Sequence, residues 1–237
     1  MTRPRDAAVA GQTGNEPAVL LGAVAAVLVW SGIAPHERGT WLLEVAPVLV
    51  GAPLLVATRR RFPLSALAYR LLALHALILT VGGHYTYARV PLGFAVQDAL
   101  DLARNHYDRL GHVAQGFVPA IVAREILLRT SPLRRGRWLF FLVTCVCLSI
   151  SALYELVEWW AALLGGEAAE SFLGSQGDPW DAQWDIFLAL SGAVAAQALL
   201  SGAHDRSLAR LAEPGGSDRS PPRGVSHDSS PTSSSRR

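Results

Sequence analysis

The sequence predicts an all-α integral membrane bundle of six transmembrane helices with both termini cytoplasmic. Three observations lead there. First, the chain has 237 residues, 51% of them hydrophobic, and gathers them into blocks of the roughly 17–25 residues a helix needs to cross a bilayer. Second, Arg-rich segments separate the blocks, and the chain contains no Lys. Third, the arginines divide by side. Six spans put Arg3, Arg5, Arg59, Arg60, Arg61, Arg129, Arg134, Arg135, Arg137 and six tail arginines inside, against Arg38, Arg89, Arg104 and Arg109 outside. Fifteen against four is the asymmetry of the positive-inside rule. A net charge of +2 distributed by side in this way leaves no basic patch for nucleic acid.

The chain divides into a polar cytoplasmic N-terminus (residues 1–16), a membrane domain (17–202) and a tail (203–237). The tail is rich in Ser, Pro and Arg and is expected to be disordered in the cytoplasm. The first span is read at residues 18–34; Pro35 after Gly32-Ile-Ala34 makes a poor cleavage context, so this span is expected to be retained. The second covers 41–57, contains Glu44, Pro47 and Pro53, and is stopped by Arg59 to Arg61. The third covers 66–87 with His75 mid-span, and residues 91–104 form a short interfacial helix with Gln97, Asp98, Asp101 and Arg104 outward. The fourth covers 108–128, the fifth 138–164 and the sixth 182–200. At 27 residues the fifth is tilted or protrudes. Cys145 and Cys147 point apart at i,i+2 and read as inert buried thiols.

Polar residues of five spans fall at one depth, the outer third of the membrane: Glu44, His84, Asp108, His112, Glu155, Glu158 and Asp185. Several have ordinary structural readings. Asp178 is a candidate N-cap with Pro179 at N1 and Asp181 at N3, and Asn105 with Asp108 repeats that logic. Arg124 and Glu125 lie near the inner surface, where Arg snorkels. His75 reads as a hydrogen-bonded core residue. Trp138, Trp159, Trp160, Trp180 and Trp184 fit an interfacial belt. Glu155, Glu158, His112 and Asp185 have neither a cap nor a favourable dipole to explain them. One alternative for these four is a buried ion-pair network with Arg104 or Arg109. The other is a functional site, the default reading of ionisable groups within a span.

Helical spacing puts Asp108 and His112 on one face with Gln115 continuing the stripe, Glu155 and Glu158 on another, and Asp181 and Asp185 on a third. Three such stripes resemble carboxylate-rich metal sites inside helical bundles. The candidate metal ligands are therefore Asp108, His112, Glu155, Glu158, Asp181 and Asp185, and the donor set suits Mg²⁺, Mn²⁺ or Zn²⁺. Glu155, Glu158 and His112 are the candidate catalytic groups. Without a metal, crowded carboxyls would instead act as a general acid or proton carrier. His84, Arg104, Arg109, Gln115, Gln176 and Asp178 are candidate ligand-binding residues around them. Gly174 and Gly177 would permit the tight turns of the segment that carries Gln176.

Three segments together resemble the YjdF-like family of bacterial inner-membrane proteins: YDRLGHVAQGFVPAIVARE at 107–125, YELVEWW at 154–160 and FLGSQGDPWDAQWD at 172–185. The resemblance covers about residues 15–202. It implies a multi-pass protein of the bacterial inner (plasma) membrane and carries no activity with it. A looser similarity is to VanZ-like membrane proteins, associated with glycopeptide (teicoplanin) resistance. These also have an Asp-x-x-x-His helix, a later Glu in a span and a final helix opening with Asp. This sequence departs from them at Ala189, four residues after Asp185, where VanZ-like proteins commonly carry Asn.

Three readings of function follow, all with the lipid bilayer as partner. One is an enzyme acting on a lipid headgroup or lipid-linked precursor, with a metal polarising a phosphoryl or acyl group and Glu155 or Glu158 as base. The second is a carrier or binding protein that takes up a proton or cation with a small solute. The third is a structural protein with a buried ion-pair network. The inner halves of the spans are mostly apolar and no internal repeat is visible, which slightly favours an outer site over a transport path.

Overall fold

The computed structural model describes residues 15–165 and 175–212, all helix and connecting turn. Seven α-helices occur among the described residues: α1 (Glu16–Gly32), α2 (Arg38–Thr58), α3 (Ala66–Tyr85), α4 (Pro91–Leu100), α5 (Tyr107–Thr130), α6 (Arg137–Gly165) and α7 (Asp181–Ala212). α2, α3, α6 and α7 are long and apolar enough to cross a membrane, and α1 is a shorter apolar helix. α5 is long but not apolar overall, because it carries Asp108, His112, Arg124 and Glu125. It turns all four inward and buries them.

Local chemistry sets the ends. Pro17 and Pro91 sit in the first turns of α1 and α4, where the missing N–H costs no helical bond. The Ser65 hydroxyl accepts from the Ala68 N–H at 3.3 Å and starts α3. Thr86, at φ 56°, ends α3 in the left-handed region and hands the chain to a short 3-10 turn, Tyr87–Arg89. The buried Asn105 opens α5: its Oδ1 accepts from Tyr107 N at 3.0 Å, while its Nδ2 donates to the Val90 carbonyl. The start of α5 is thereby tied to the start of α4.

The close packing in the bundle is between α5 and α7. A Cβ on Gly116 would overlap the Ala189 carbonyl, and one on Gly192 would overlap the Val113 carbonyl, so the backbones meet where neither helix has a side chain. Small residues are the usual means by which helices approach in lipid, where no hydrophobic drive separates helix from solvent. Below this crossing Ala120, Ile121, Leu139, Val143, Cys147, Ala193 and Ala196 form the apolar core. Both cysteines are free. The tryptophans of the expected belt are outward, Trp138 being 72% exposed and Trp180 64%.

Two expectations are corrected. The tail was placed from residue 203, yet α7 continues to Ala212, with His204 fully buried and Asp205 paired to Arg124 at 2.8 Å. Polar composition suggested solvent, but tertiary ion pairs hold these turns against α5. The rest of the expected tail lies outside the described residues. Arg104, expected to face outward from the interfacial helix, turns inward instead to Asp181 at 2.8 Å. Asp98 and Asp101 are exposed as expected, and on α4 Leu92, Phe94, Val96 and Leu100 are exposed beside them.

Candidate functional site

His112 is the centre of the site. It lies one turn along α5 from Asp108, and the Gly116 crossing one turn further on brings α7 close enough for Asp185 to reach the same ring. Nε2 is 3.5 Å from Asp108 Oδ1 and 3.7 Å from Asp185 Oδ2. Nδ1 is 3.1 Å from Gln115 Oε1 and 3.9 Å from Glu155 Oε1 on α6. Ligand atoms of Asp108, His112 and Asp185 lie within 4.8 Å of one another, and so do those of His112, Glu155 and Glu158. Five of the six expected metal ligands thus fall into two groups of three that share His112, contributed by three helices.

The sixth does not. Asp181, one turn before Asp185, accepts from Arg104 and belongs to a rim of ion pairs. Arg104 also donates to the Ser175 carbonyl at 2.7 Å, and Arg109 donates to Asp178 at 3.2 Å. Arg109 further stacks over the Trp184 ring at 5.4 Å. Asp178 Oδ1 accepts from Trp180 N, a local cap just ahead of α7. Gln176, expected to offer its amide to a ligand, donates it to the Asn105 carbonyl at 2.8 Å and pins this loop onto α5. His84 is likewise engaged elsewhere: its Nδ1 is 2.9 Å from the Ser31 carbonyl and its ring stacks on Trp30. Beside the rim, burial together with Arg109 and Arg104 holds the His106 imidazole below its ordinary value.

The expected ion pairs of this group with Arg104 or Arg109 are not formed; Asp108, Glu155 and Asp185 stand within ion-pair range of His112 instead. Arg104 and Arg109 neutralise Asp178 and Asp181, while Glu155, Glu158, Asp108 and Asp185 have no Arg in ion-pair range among the described residues. Asp108 Oδ2, Glu155 Oε1 and Asp185 Oδ1 are buried without a hydrogen-bond donor. Asp185 is 2% exposed. Unsatisfied buried carboxylate oxygens are costly.

The ring makes the conflict sharper. If Nδ1–H is donated to Gln115 Oε1, neutral Nε2 turns a lone pair toward two carboxylate oxygens. Three acceptors arranged in this way call for a proton, a metal ion or a donating water between them.

Sequence reasoning noted the depth of Glu44 but left it out of the site. Glu44 is 6% exposed, accepts from the Tyr154 hydroxyl at 3.3 Å and shares a cavity with Asp108, His112 and Glu158. Tyr154 meets the His112 ring edge-on, with centroids 6.5 Å apart. The Tyr154-Glu155 pair carried the missing signal, because a helix that turns Glu155 inward brings Tyr154 to the same wall. His75 also lines this cavity, and its Nε2 has no hydrogen-bond partner, in contrast to the bonded core histidine expected.

A second polar group lies at the other end of α5. Arg124 donates to His204 Nδ1 at 2.9 Å, so that nitrogen accepts, and His204 Nε2 donates to Glu125 Oε2 at 3.1 Å. Glu125 Oε1 accepts from Ser65 N and from Arg129. Gln197 continues the buried stripe of Ala189, Ala193 and Ala196 toward His204 at helical spacing, and that is the signal that the helix runs on.

Residues 16–206 match the family model described as "Predicted membrane protein (DUF2238)". The chain belongs to this family. It is also 55% identical over 185 residues to "Inner membrane protein YjdF" of Escherichia coli (strain K12), covering 78% of this chain and 88% of that protein. The YjdF-like resemblance read from the three segments is therefore correct, and with it the bacterial inner membrane as the location. No solved structure matches the chain.

Proposed function

We propose that Asp108, His112, Glu155, Glu158 and Asp185 bind a divalent cation near the outer face of a six-span bundle whose two termini are cytoplasmic. α5 and α1 complete the six spans beside the four long apolar helices, and the positive-inside count supports that orientation. One observation carries the cation: buried, donorless carboxylate oxygens of Asp108, Glu155 and Asp185 surround His112. An imidazole that donates Nδ1–H to an oxygen and presents Nε2 to a metal is a common ligand arrangement, in which the outer oxygen fixes the tautomer. Here that oxygen belongs to Gln115.

The cation would polarise a phosphoryl or acyl oxygen of a lipid headgroup or lipid-linked precursor, and Glu155 or Glu158 would accept the proton of the attacking group. A cavity of about 910 Å³ adjoins the acids, with walls of Val24, Val48, Leu72 and Leu79. Apolar walls of this kind suit an amphiphile better than a small polar solute, which favours this reading over a carrier.

Elemental analysis of detergent-purified protein, after equilibration with Mg²⁺, Mn²⁺ or Zn²⁺, tests the proposal. Wild type should retain close to one ion per chain and melt lower after chelation, and His112→Ala and Glu155→Gln should lose both properties. Equal metal content in wild type and variants, or a melting curve indifferent to chelator, would overturn it.

A further inference from the structure

The cavity beside the acids is a trough with two unlike ends. Glu44, Asp108, His112 and Glu158 line one end; Arg59 and Arg60 line the other; the walls between come from α1, α2, α3, α5 and α6. Glu44 lies on α2 and Arg59 caps its C-terminal end, fifteen residues on by their numbers, which is about 22 Å of helix rise. Most of the bilayer's apolar thickness of about 30 Å is thus traversed.

Several arginines near them are paired, and Arg61, unpaired among the described residues like Arg59 and Arg60, lies outside the trough lining. Arg70 pairs with Glu16, Arg129 with Glu125, and Arg124 and Arg135 with Asp205. Among the described residues Arg59 and Arg60 have no ion pair and no side-chain hydrogen bond. Arg59 is half-buried at the mouth of a greasy slot, which is a poor place for an unpartnered guanidinium. The planar fork of Arg matches phosphate oxygens, and basic pockets between spans on the cytoplasmic side suit anionic headgroups.

We infer that this trough holds an anionic phospholipid of the inner leaflet, its phosphate on Arg59 and Arg60 and its acyl chains along Val48, Leu72, Ala76 and Leu79. The proposal uses the six-span orientation, which makes the Arg59 end cytoplasmic, and does not use the cation at His112. A headgroup on Arg59 lies too far from the acids to be the group they act on. The lipid is therefore a second ligand, whose headgroup binds at the opposite end from the substrate's and whose chains compete with it for the same apolar walls. Charge decides which way round it sits, because the acid-rich end repels a phosphate and the arginine end attracts one.

The test is binding of full-length protein to nanodiscs or vesicles of phosphatidylglycerol against phosphatidylcholine, with lipid retained after detergent purification counted by native mass spectrometry. Wild type should keep phosphatidylglycerol and melt higher in its presence. The Arg59→Gln/Arg60→Gln variant should bind it about 30-fold more weakly, two basic contacts at the usual worth of a juxtamembrane Arg. Arg61→Gln, outside the trough lining, should bind as wild type does. Ala76→Trp should displace the lipid with both arginines intact. Metal content should be the same in all of these proteins, so a failed cation proposal leaves this one standing. Equal binding of the two lipids, undiminished binding by the double variant, or an equal loss in Arg61→Gln would each overturn it.

Discussion

The two ends of the α5–α7 contact are built from the same backbones and end in opposite electrostatics. At the Arg124 end, Arg124, Glu125, Arg129, Arg135, His204 and Asp205 are joined by ion pairs and hydrogen bonds, with Glu125 and His204 fully buried. At the His112 end, four carboxyls crowd one imidazole and three of their oxygens lack a donor. The first end solves the cost of burying charge with its own residues. The second leaves that cost unmatched by any Arg among the described residues. Burial alone does not mark a functional site in a membrane protein; the separating property is whether a buried charge is matched from within the chain.

Breaking the matched end should have the largest effect. Glu125→Ala strips acceptors from Arg129, His204 and Ser65 N together and should cost about 3–5 kcal/mol of stability, the usual loss when one partner of a buried pair is removed. Detergent-phase unfolding would measure it, and metal affinity should be unaffected in the protein that remains folded. The opposite sign is expected at the other end. Asp185→Asn should raise the stability of the metal-free protein by about 1–3 kcal/mol, because an unsatisfied buried charge is replaced by a neutral amide. A destabilisation there would make the two ends alike and break the contrast.

Gln115→Leu removes the oxygen that fixes the His112 tautomer and leaves every proposed ligand in place. Metal affinity should fall about 10–100-fold, measured by calorimetric titration, with little change in melting temperature. The smallest effect is expected at Ser65→Ala, which removes the α3 cap but keeps the Ser65 N–H on Glu125. A loss of about 1 kcal/mol in the same unfolding assay is the worth of a cap alone. A loss as large as that of Glu125→Ala would extend the network to the hydroxyl.

Helix positions were legible because apolar blocks and Arg-rich breaks are read one at a time along the chain. The gathering of Asp108, His112, Glu155, Glu158 and Asp185 was legible from depth, since lipid leaves ionisable groups at one level few places to go. Pairing was not legible. Arg104 reads as outward from the amphipathic pattern of residues 91–104 and as a partner for Glu155, Glu158 or Asp185 from its charge, whereas a turn after Leu100, with Asp101 at φ 51°, carries it to Asp181. Gln176 looked available because the Asn105 carbonyl it meets is 71 residues away. His204 and Asp205 were lost to the tail because Ser- and Arg-rich composition reads as solvated until partners on α5 are known.

The glycine crossing has a further implication for how the chain tolerates change in length. Asp185 and His204 stand nineteen residues apart on one unbroken α7, each held to its own site on α5. Adding a single residue between them would twist one relative to the other by about 100°. Gly116 and Gly192 leave no slack at the crossing to absorb that rotation. Insertions and deletions in this stretch would then sever one site or the other, and α7 length should act as a ruler shared by both.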